Sequence, residues 1–410
     1  MTDSETFGAS SSDASGNTGL AVILVARIVL NVPVRMSTFF LPAISRGLRV
    51  PLSAGGTLVS VANLMGLVSP LFGALSDRAG GRRVMVFGTA LFAGGALLTA
   101  GIPYYGVALV TFAVMSLGKM AFDPSMQMFL GQRVPYERRG RALGLAELGW
   151  SLSLLAMPLC GWLIGVVSWR APFLLLGVVG VPVWLLTWRG LPPDVLSGRE
   201  RASRAGDFRR TLTSLLVSLV GLVREVWTDS QSRLALAATA LIAFAQINVM
   251  VVYGAWMEDG FGLTVANLGL ATLVMGAAEL LAELAVAFVS DRVGKRRSVF
   301  VSVIFTTLAY LVLPRLTGSL AAALIGSAVM IFFFEFTIVG LLPLVSGMNA
   351  EARGTIMSLG HAVGSVSRAI AAPVGVALYA PGDIGLNGPV SALACLLLLV
   401  VLFRLRERGH

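Results

Sequence analysis

Apolar residues in this chain of 410 gather in long runs, separated by short polar segments that hold most of the charge. A helix rises 1.5 Å per residue, so roughly 20 apolar residues cross the ~30 Å hydrocarbon layer of a bilayer. Six such runs fall in the first half, at Leu20–Leu41, Gly55–Leu75, Val84–Ile102, Val107–Leu130, Leu143–Val167 and Pro172–Trp188. Six more follow at Leu234–Met257, Leu268–Val289, Val299–Leu313, Leu320–Leu344, Ile356–Tyr379 and Val390–Phe403. The pattern predicts an all-α membrane protein with twelve transmembrane helices.

The six-plus-six arrangement has a counterpart in the loops. Ser76-Asp77-Arg78-Ala79-Gly80-Gly81-Arg82-Arg83 returns 214 residues later as Ser290-Asp291-Arg292-Val293-Gly294-Lys295-Arg296-Arg297. Glu137, Arg139 and Gly140 recur at the same offset of 214 as Glu351, Arg353 and Gly354. Two unrelated motifs sharing one offset mark a duplicated unit.

Composition agrees: mean hydropathy is +0.84 and 13% of residues are charged, against about 25% in soluble domains. The net charge of +10 would suit a nucleic-acid partner if it were spread over a surface, but it is not. With the amino terminus inside, 23 of the 31 Lys and Arg fall on the cytoplasmic side and four, Arg46, Arg49, Arg170 and Arg315, on the other. That is the positive-inside bias; it places both termini in the cytoplasm and accounts for the charge without nucleic acid. Residues 1–19 are rich in Ser, Gly and Asp and are expected to be a disordered cytoplasmic tail, while 406–410 after the last span form a second cytoplasmic tail. The tail lacks the basic start of a cleavable leader, so the first span is read as an uncleaved signal-anchor. Residues 189–233 form a cytoplasmic linker between the halves, 20–188 and 234–405. Within it Thr211–Val223, at 13 residues, is too short to cross and is expected to lie on the membrane surface as an interfacial helix. Cys160 and Cys395 sit alone in apolar spans, with neither metal spacing nor a disulfide framework, and are read as core residues.

The segment Gly73-Ala74-Leu75-Ser76-Asp77-Arg78-Ala79-Gly80-Gly81-Arg82-Arg83, between the second and third runs, resembles the signature of the major facilitator superfamily. The second copy keeps the pattern except that Ala287 replaces the first glycine. The resemblance covers Leu20 to Phe403 and implies two pseudo-symmetric six-helix bundles around a central cavity that opens alternately to either side. Gly80 suits a tight, positive-φ turn. In the fold so implied, Asp77 approaches the start of the eleventh span at Arg353-Gly354-Thr355, where unpaired N–H groups favour an anion. By symmetry Asp291 faces Arg139-Gly140-Arg141. These pairs would form a gating latch. Arg78, Arg82, Arg83, Arg292, Gly294, Arg296 and Arg297 complete the two motifs, where the outer arginines either gate or anchor topology.

Charge inside a span is expensive and usually functional. The embedded groups are Arg27, Arg35, Lys119 and Arg368 against Asp123, Glu279, Glu283 and Glu335, so complete pairing is possible. Arg27, Asn31 and Arg35 form a polar stripe at i, i+4, i+8 on the first span, and Lys119, Asp123 and Gln127 another on the fourth. Arg27 is paired with Asp123. Glu279 and Glu283 share one face of the eighth span, while Glu335 and Arg368 lie on the tenth and eleventh at depths similar to Glu279. Glu279, Glu335 and Asp123, in that order of preference, are the candidates for proton coupling, the alternative being static ion pairs that fix helix packing, with His361 as either a relay or a packing residue. Gln246, Asn248 and Tyr253 on the seventh span could hydrogen-bond a solute. Trp169-Arg170-Ala171-Pro172-Phe173 resembles the family's cap between the fifth and sixth spans. Met157-Pro158 and Cys160-Gly161 keep half of the Gly-Pro, Gly-Gly pattern of the drug–proton antiporter branch.

The expected function is secondary active transport of a small organic solute by alternating access, coupled to protons and directed to export. The protein is expected to act as a monomer in the plasma (inner) membrane, with no cofactor. The rival reading is a transport-dead protein of the same fold, acting as a sensor or membrane chaperone; it would be expected to have lost the motif or the embedded carboxylates. No phosphate-binding Gly-x-x-x-x-Gly-Lys-(Ser/Thr) and no metal cluster points to an enzyme or an ATP-driven pump.

Overall fold

The computed structural model describes residues 6–134, 136–194, 229–346 and 353–405. The expected interfacial helix and the last five residues lie outside them. Twelve helices long and apolar enough to span a membrane are present. Spans 1 to 6 are Gly19–Phe39, Leu52–Ser76, Gly81–Gly101, Tyr105–Arg133, Gly144–Val166 and Ala171–Gly190. Spans 7 to 12 are Ser230–Phe261, Val265–Val286, Lys295–Arg315, Leu320–Val345, Leu359–Leu378 and Asn387–Arg404. Each coincides with one apolar run. One boundary differs: the helix of span 1 begins at Thr6, inside the stretch expected to be unstructured. Once span 1 has nucleated, each added residue extends an existing hydrogen-bond ladder, so a polar stretch without proline can follow it.

Spans 2 and 5 are broken in mid-course. In span 2, helix Leu52–Leu64 gives way to a 3-10 turn, Met65–Val68, before helix Ser69–Ala79 begins with Pro70 in its first turn. In span 5, helix Tyr136–Leu152 is followed by the turn Ser153–Ala156 and by helix Met157–Val166, with Pro158 in its first turn. Proline lacks the N–H that would continue the ladder, and a first turn is where it is tolerated. The partner spans across the interface, 11 and 8, belong to the unbroken helices Arg353–Leu378 and Val265–Val293.

The halves meet along spans 2 and 11, 5 and 8, and 1 and 7. Small residues let the backbones touch, as membrane helices require. A methyl group at Gly161 would lie 2.6 Å from the Val265 carbonyl oxygen, and one at Gly269 2.6 Å from that of Met157. At Gly254 it would lie 2.0 Å from the Phe39 carbonyl oxygen. These contacts lie toward the end of the bundle away from the Asp-Arg motifs, hereafter the far side. There Arg46 Nη1 is 2.6 Å from Glu258 Oε2, and the hydrogen bond to Glu258 holds the Arg46 pKa above its ordinary value. Cys160 and Cys395 are both buried and unpaired by any disulfide.

Candidate functional site

A cavity of about 960 Å³ lies between the halves. Its floor is the far-side contact just described, and its walls run toward the motif side as far as Gly73, Gln127 and Met128. Gln127 and Glu147 line it and are nonetheless exposed, so it opens toward that side. Methionine and aromatic side chains, among them Met115, Met250, Phe112 and Phe334, contribute to its lining. Arg27, Lys119, Asp123, Gln246, Glu279, Glu335 and Arg368, all expected to serve the site, line it, as do Arg35 and His361.

The charges pair differently from the sequence expectation. Arg27 does reach Asp123, Nε to Oδ1 at 3.7 Å, but its shorter contact is Nη1 to Glu147 Oε1 at 2.6 Å. Asp123 also takes Lys119, one turn away on span 4. Glu147 and Trp150, at i and i+3 on span 5, were not singled out in the sequence, although both lie within a run that was. Asn31 is buried on the Arg27 stripe, and its amide makes no hydrogen bond among the described residues.

Arg35 carries the link between the halves. Its Nη1 lies 2.9 Å from Glu279 Oε1 and its Nη2 2.5 Å from Oε2, a fork-to-fork pair with both side chains buried. The guanidinium stacks 3.8 Å from the centre of the Trp150 ring and donates to the Trp150 carbonyl at 3.5 Å. A desolvated arginine over indole gains from the ring's negative face as well as from the carboxylate. Glu279 is therefore engaged across the interface on both oxygens.

The complete pairing that four cations and four carboxylates would allow is not what forms among the described residues. Glu283 does not line the cavity; its Oε1 accepts from Ser151 Oγ at 2.7 Å. Glu335 is 7% exposed and has neither an ion-pair partner nor a hydrogen-bond donor among the described residues. Arg368 pairs with no carboxylate among them and donates instead to Asn63 Oδ1 at 3.2 Å and Ser365 Oγ at 3.1 Å. Two solute-binding expectations also give way. Asn248 faces span 12, where Nδ2 donates to the Asn387 carbonyl and to Ser391 Oγ, each at 2.9 Å. Tyr253 packs its ring edge against Phe39, centroids 5.8 Å apart, away from the cavity. On a helix facing neighbours on several sides, a polar residue's depth leaves its direction open; Gln246, two positions from Asn248, points the other way.

In the motif loops, Gly80 has φ 95° and Gly294 φ 94°, the positive-φ turn read at Gly80 from the sequence. Arg82 donates through its side chain to the Trp188 carbonyl, while its backbone N–H goes to Asp194 Oδ1 at 2.9 Å. Arg296 Nη2 donates to the carbonyls of Leu402 and Phe403 at 3.1 and 3.0 Å. These two arginines close the ends of spans 6 and 12, whose last carbonyls lack intrahelical partners. Arg83, Arg292 and Arg297 are exposed. Arg78 lies in the last turn of helix Ser69–Ala79. Gly73 lies on the cavity wall, facing Pro124. The side chains of Asp77, Arg139, Asp291 and Arg353 lie outside the described ones. Their helices do meet in the expected combinations, Ser69–Ala79 against Arg353–Leu378 and Tyr136–Leu152 against Val265–Val293.

Comparison with known proteins agrees with this geometry. Residues 23–230 and 235–410 match the Major Facilitator Superfamily, one stretch to each half. An uncharacterized MFS-type transporter of Bacillus subtilis, YceJ, is 24% identical over 329 residues, covering 78% of this chain and 79% of that protein. A second from the same organism, YwfA, is 24% identical over 367 residues, covering 88% of this chain and 85% of its own. The inner membrane transport protein YdhP of Escherichia coli is 27% identical over 186 residues, 44% of this chain and 48% of that one. The chain belongs to the Major Facilitator Superfamily and is a multi-pass membrane transporter, not an enzyme.

Proposed function

We propose that this superfamily member is a secondary active transporter moving a small organic solute by alternating access, coupled to protons and working in the direction of export. The observation that carries the coupling is Glu335, a buried carboxyl on the cavity wall with no ion-pair partner and no hydrogen-bond donor among the described residues. A charge there is poorly compensated, because Arg35, the cation whose field reaches it, is already committed to Glu279, whereas a protonated carboxyl is tolerated, so proton binding and cavity access are linked through it. Glu279, the sequence favourite, is held on both oxygens by Arg35, which leaves Glu335 the better carrier.

The far-side floor and motif-side mouth support a cavity facing the cytoplasm, since the basic loops share the mouth's side. The plasma membrane and cytoplasmic termini follow from that bias and from the likeness to an inner membrane transport protein. Export rests on the half-kept antiporter pattern at Met157-Pro158 and Cys160-Gly161, beside the break in span 5. A latch of Asp77 with the start of span 11, and of Asp291 with the start of span 5, would gate the mouth; the contacts between the helices that carry them support it. A monomer is proposed because residues of both halves of one chain line the cavity.

The test is a solute panel in proteoliposomes with an imposed pH gradient. Exchange predicts uptake driven by an acid interior. Uptake driven by an acid exterior would overturn export, and uptake indifferent to the gradient would overturn coupling. A folded protein that moves nothing would favour the sensor reading. Glu335→Gln is expected to abolish gradient-driven accumulation while solute exchange between the two faces persists; accumulation at the wild-type rate would remove Glu335 as the carrier.

A further inference from the structure

The charges on the cavity wall do not satisfy one another. Four cations and four carboxylates line it, and Arg27, Arg35 and Lys119 each hold an ion pair with Asp123, Glu147 or Glu279. Arg368 holds none among the described residues, and Glu335, the other group without an ion pair, does not reach it. The two partners Arg368 has, an amide oxygen and a hydroxyl, orient a guanidinium without neutralising it.

That orientation is built into the fold. Asn63 sits at the end of helix Leu52–Leu64, just before the 3-10 turn of span 2. A methyl group at Gly66, in that turn, would lie 2.0 Å from Ser365 Oγ, so the turn admits the buried hydroxyl that receives Arg368 Nη2. A guanidinium has five N–H donors and keeps its charge at any accessible pH. With Nε–H on Asn63 and one Nη2 N–H on Ser365, both hydrogens of Nη1 and one of Nη2 are left over. These adjacent donors have the spacing of the two oxygens of a carboxylate. The cavity wall also carries Met120, Met250, Phe334, Ile338 and Met357, which offer apolar contact, and three of its four carboxylates are held by other cations.

We infer that Arg368 is the head-group subsite of the transported solute, and that the solute is an amphipathic organic monoanion: a carboxylate, or an oxyanion of similar size, on an apolar body. One uncompensated cation calls for one negative charge. The free donors call for two oxygens side by side, and the methionine and aromatic wall takes the rest of the molecule. Asn63 and Ser365 act as positioning residues. The inference rests on the transport reading and narrows its substrate class.

Equilibrium binding to the purified full-length protein in lipid nanodiscs tests it without any gradient. The probes are octanoate and 4-phenylbutyrate, each beside its primary amide and the corresponding amine. The acids are expected to bind at least about tenfold tighter than the amides and amines, because a site built around charge-assisted hydrogen bonds rejects analogues that cannot accept them. Arg368→Gln should weaken acid binding by at least about tenfold and leave amide binding unchanged, and Arg368→Lys should restore part of the loss. The inference is overturned if amides or amines bind as well as the acids, if folded wild-type protein binds neither acid, or if Arg368→Gln binds them unchanged. Should Arg368→Gln fail to fold, the wild-type acid-to-amide ratio still decides. Acid binding without gradient-driven transport would sink the coupling and leave the subsite standing.

Discussion

At the turn between spans 2 and 3, Gly80 has φ 95° and ψ 137°; 214 residues on, between spans 8 and 9, Gly294 has φ 94° and ψ 134°. Arg82 donates to the carbonyl of Trp188 and Arg296 to that of Leu402, again 214 apart. Turn and cap have kept their geometry in both copies. The walls of the cavity have not. Spans 2 and 5 are broken by 3-10 turns, whereas 8 and 11 run through. The first half pairs Arg27 and Lys119 internally, with Asp123 and Glu147. The second half brings Glu279, Glu335 and Arg368, of which only Glu279 is ion-paired among the described residues, by crossing to Arg35. A duplicated membrane scaffold is constrained wherever the chain must reverse or end a helix, because those backbone requirements are the same in each copy. Its cavity face is free to diverge, because the two halves need only complement each other and a solute.

The sharpest way to break this comparison is at the Arg35–Glu279 ion pair that joins the walls. Arg35→Ala is expected to destabilise the protein by about 3–5 kcal/mol, because Glu279 is left charged and buried. Arg35→Met combined with Glu279→Leu should recover more than half of that loss in denaturant unfolding; additive losses would mean that the two side chains do not support each other.

Next in size is the turn the halves share. Gly80→Ala and Gly294→Ala should each cost about 1–3 kcal/mol, since both backbones lie where a side chain is strained. Gly80→Ala should be the worse, because a methyl group there meets Asp194 Oδ2 at 2.1 Å while Gly294 has open space. Equal losses would mean that Asp194 does not hold the first turn.

Within the first half, Asp123→Asn should cost about 1–2 kcal/mol, less than Arg35→Ala, because Arg27 keeps Glu147 as its second carboxylate. A loss as large as that of Arg35→Ala would make the network non-redundant. The smallest effect is expected at the caps: Arg296→Gln should cost about 0.5–1.5 kcal/mol and leave transport intact. Loss of transport without loss of stability would instead give the outer arginine a gating role.

Much of this architecture is legible in the residues. Twelve apolar runs and one offset lead to twelve spans and two halves, because length and hydropathy act on each helix alone. The Arg27–Asp123 contact is legible too, from two polar stripes at helical spacing. The partner of Arg35 is not, for it lies 244 residues away and reaches it only when the halves close on each other. Glu147 escapes for a different reason. Its helix begins with the charged segment Tyr136–Arg141, so a carboxylate two turns later reads as an extension of the loop rather than as a cavity charge. Asn248 misleads in the opposite sense, since a buried amide in a span suits a helix–helix hydrogen bond as well as a solute.

The burial of the two cysteines has a practical consequence. Cys160 is 3% exposed and Cys395 0%, each inside a span, and only the thiolate reacts readily with maleimides. The native chain should therefore be nearly silent to a polar thiol reagent. A single cysteine placed along span 1, 4 or 11 would report water access at that position against a blank background. The water-lined and lipid-facing sides of each helix could be traced in whole cells, without first removing either native sulfur.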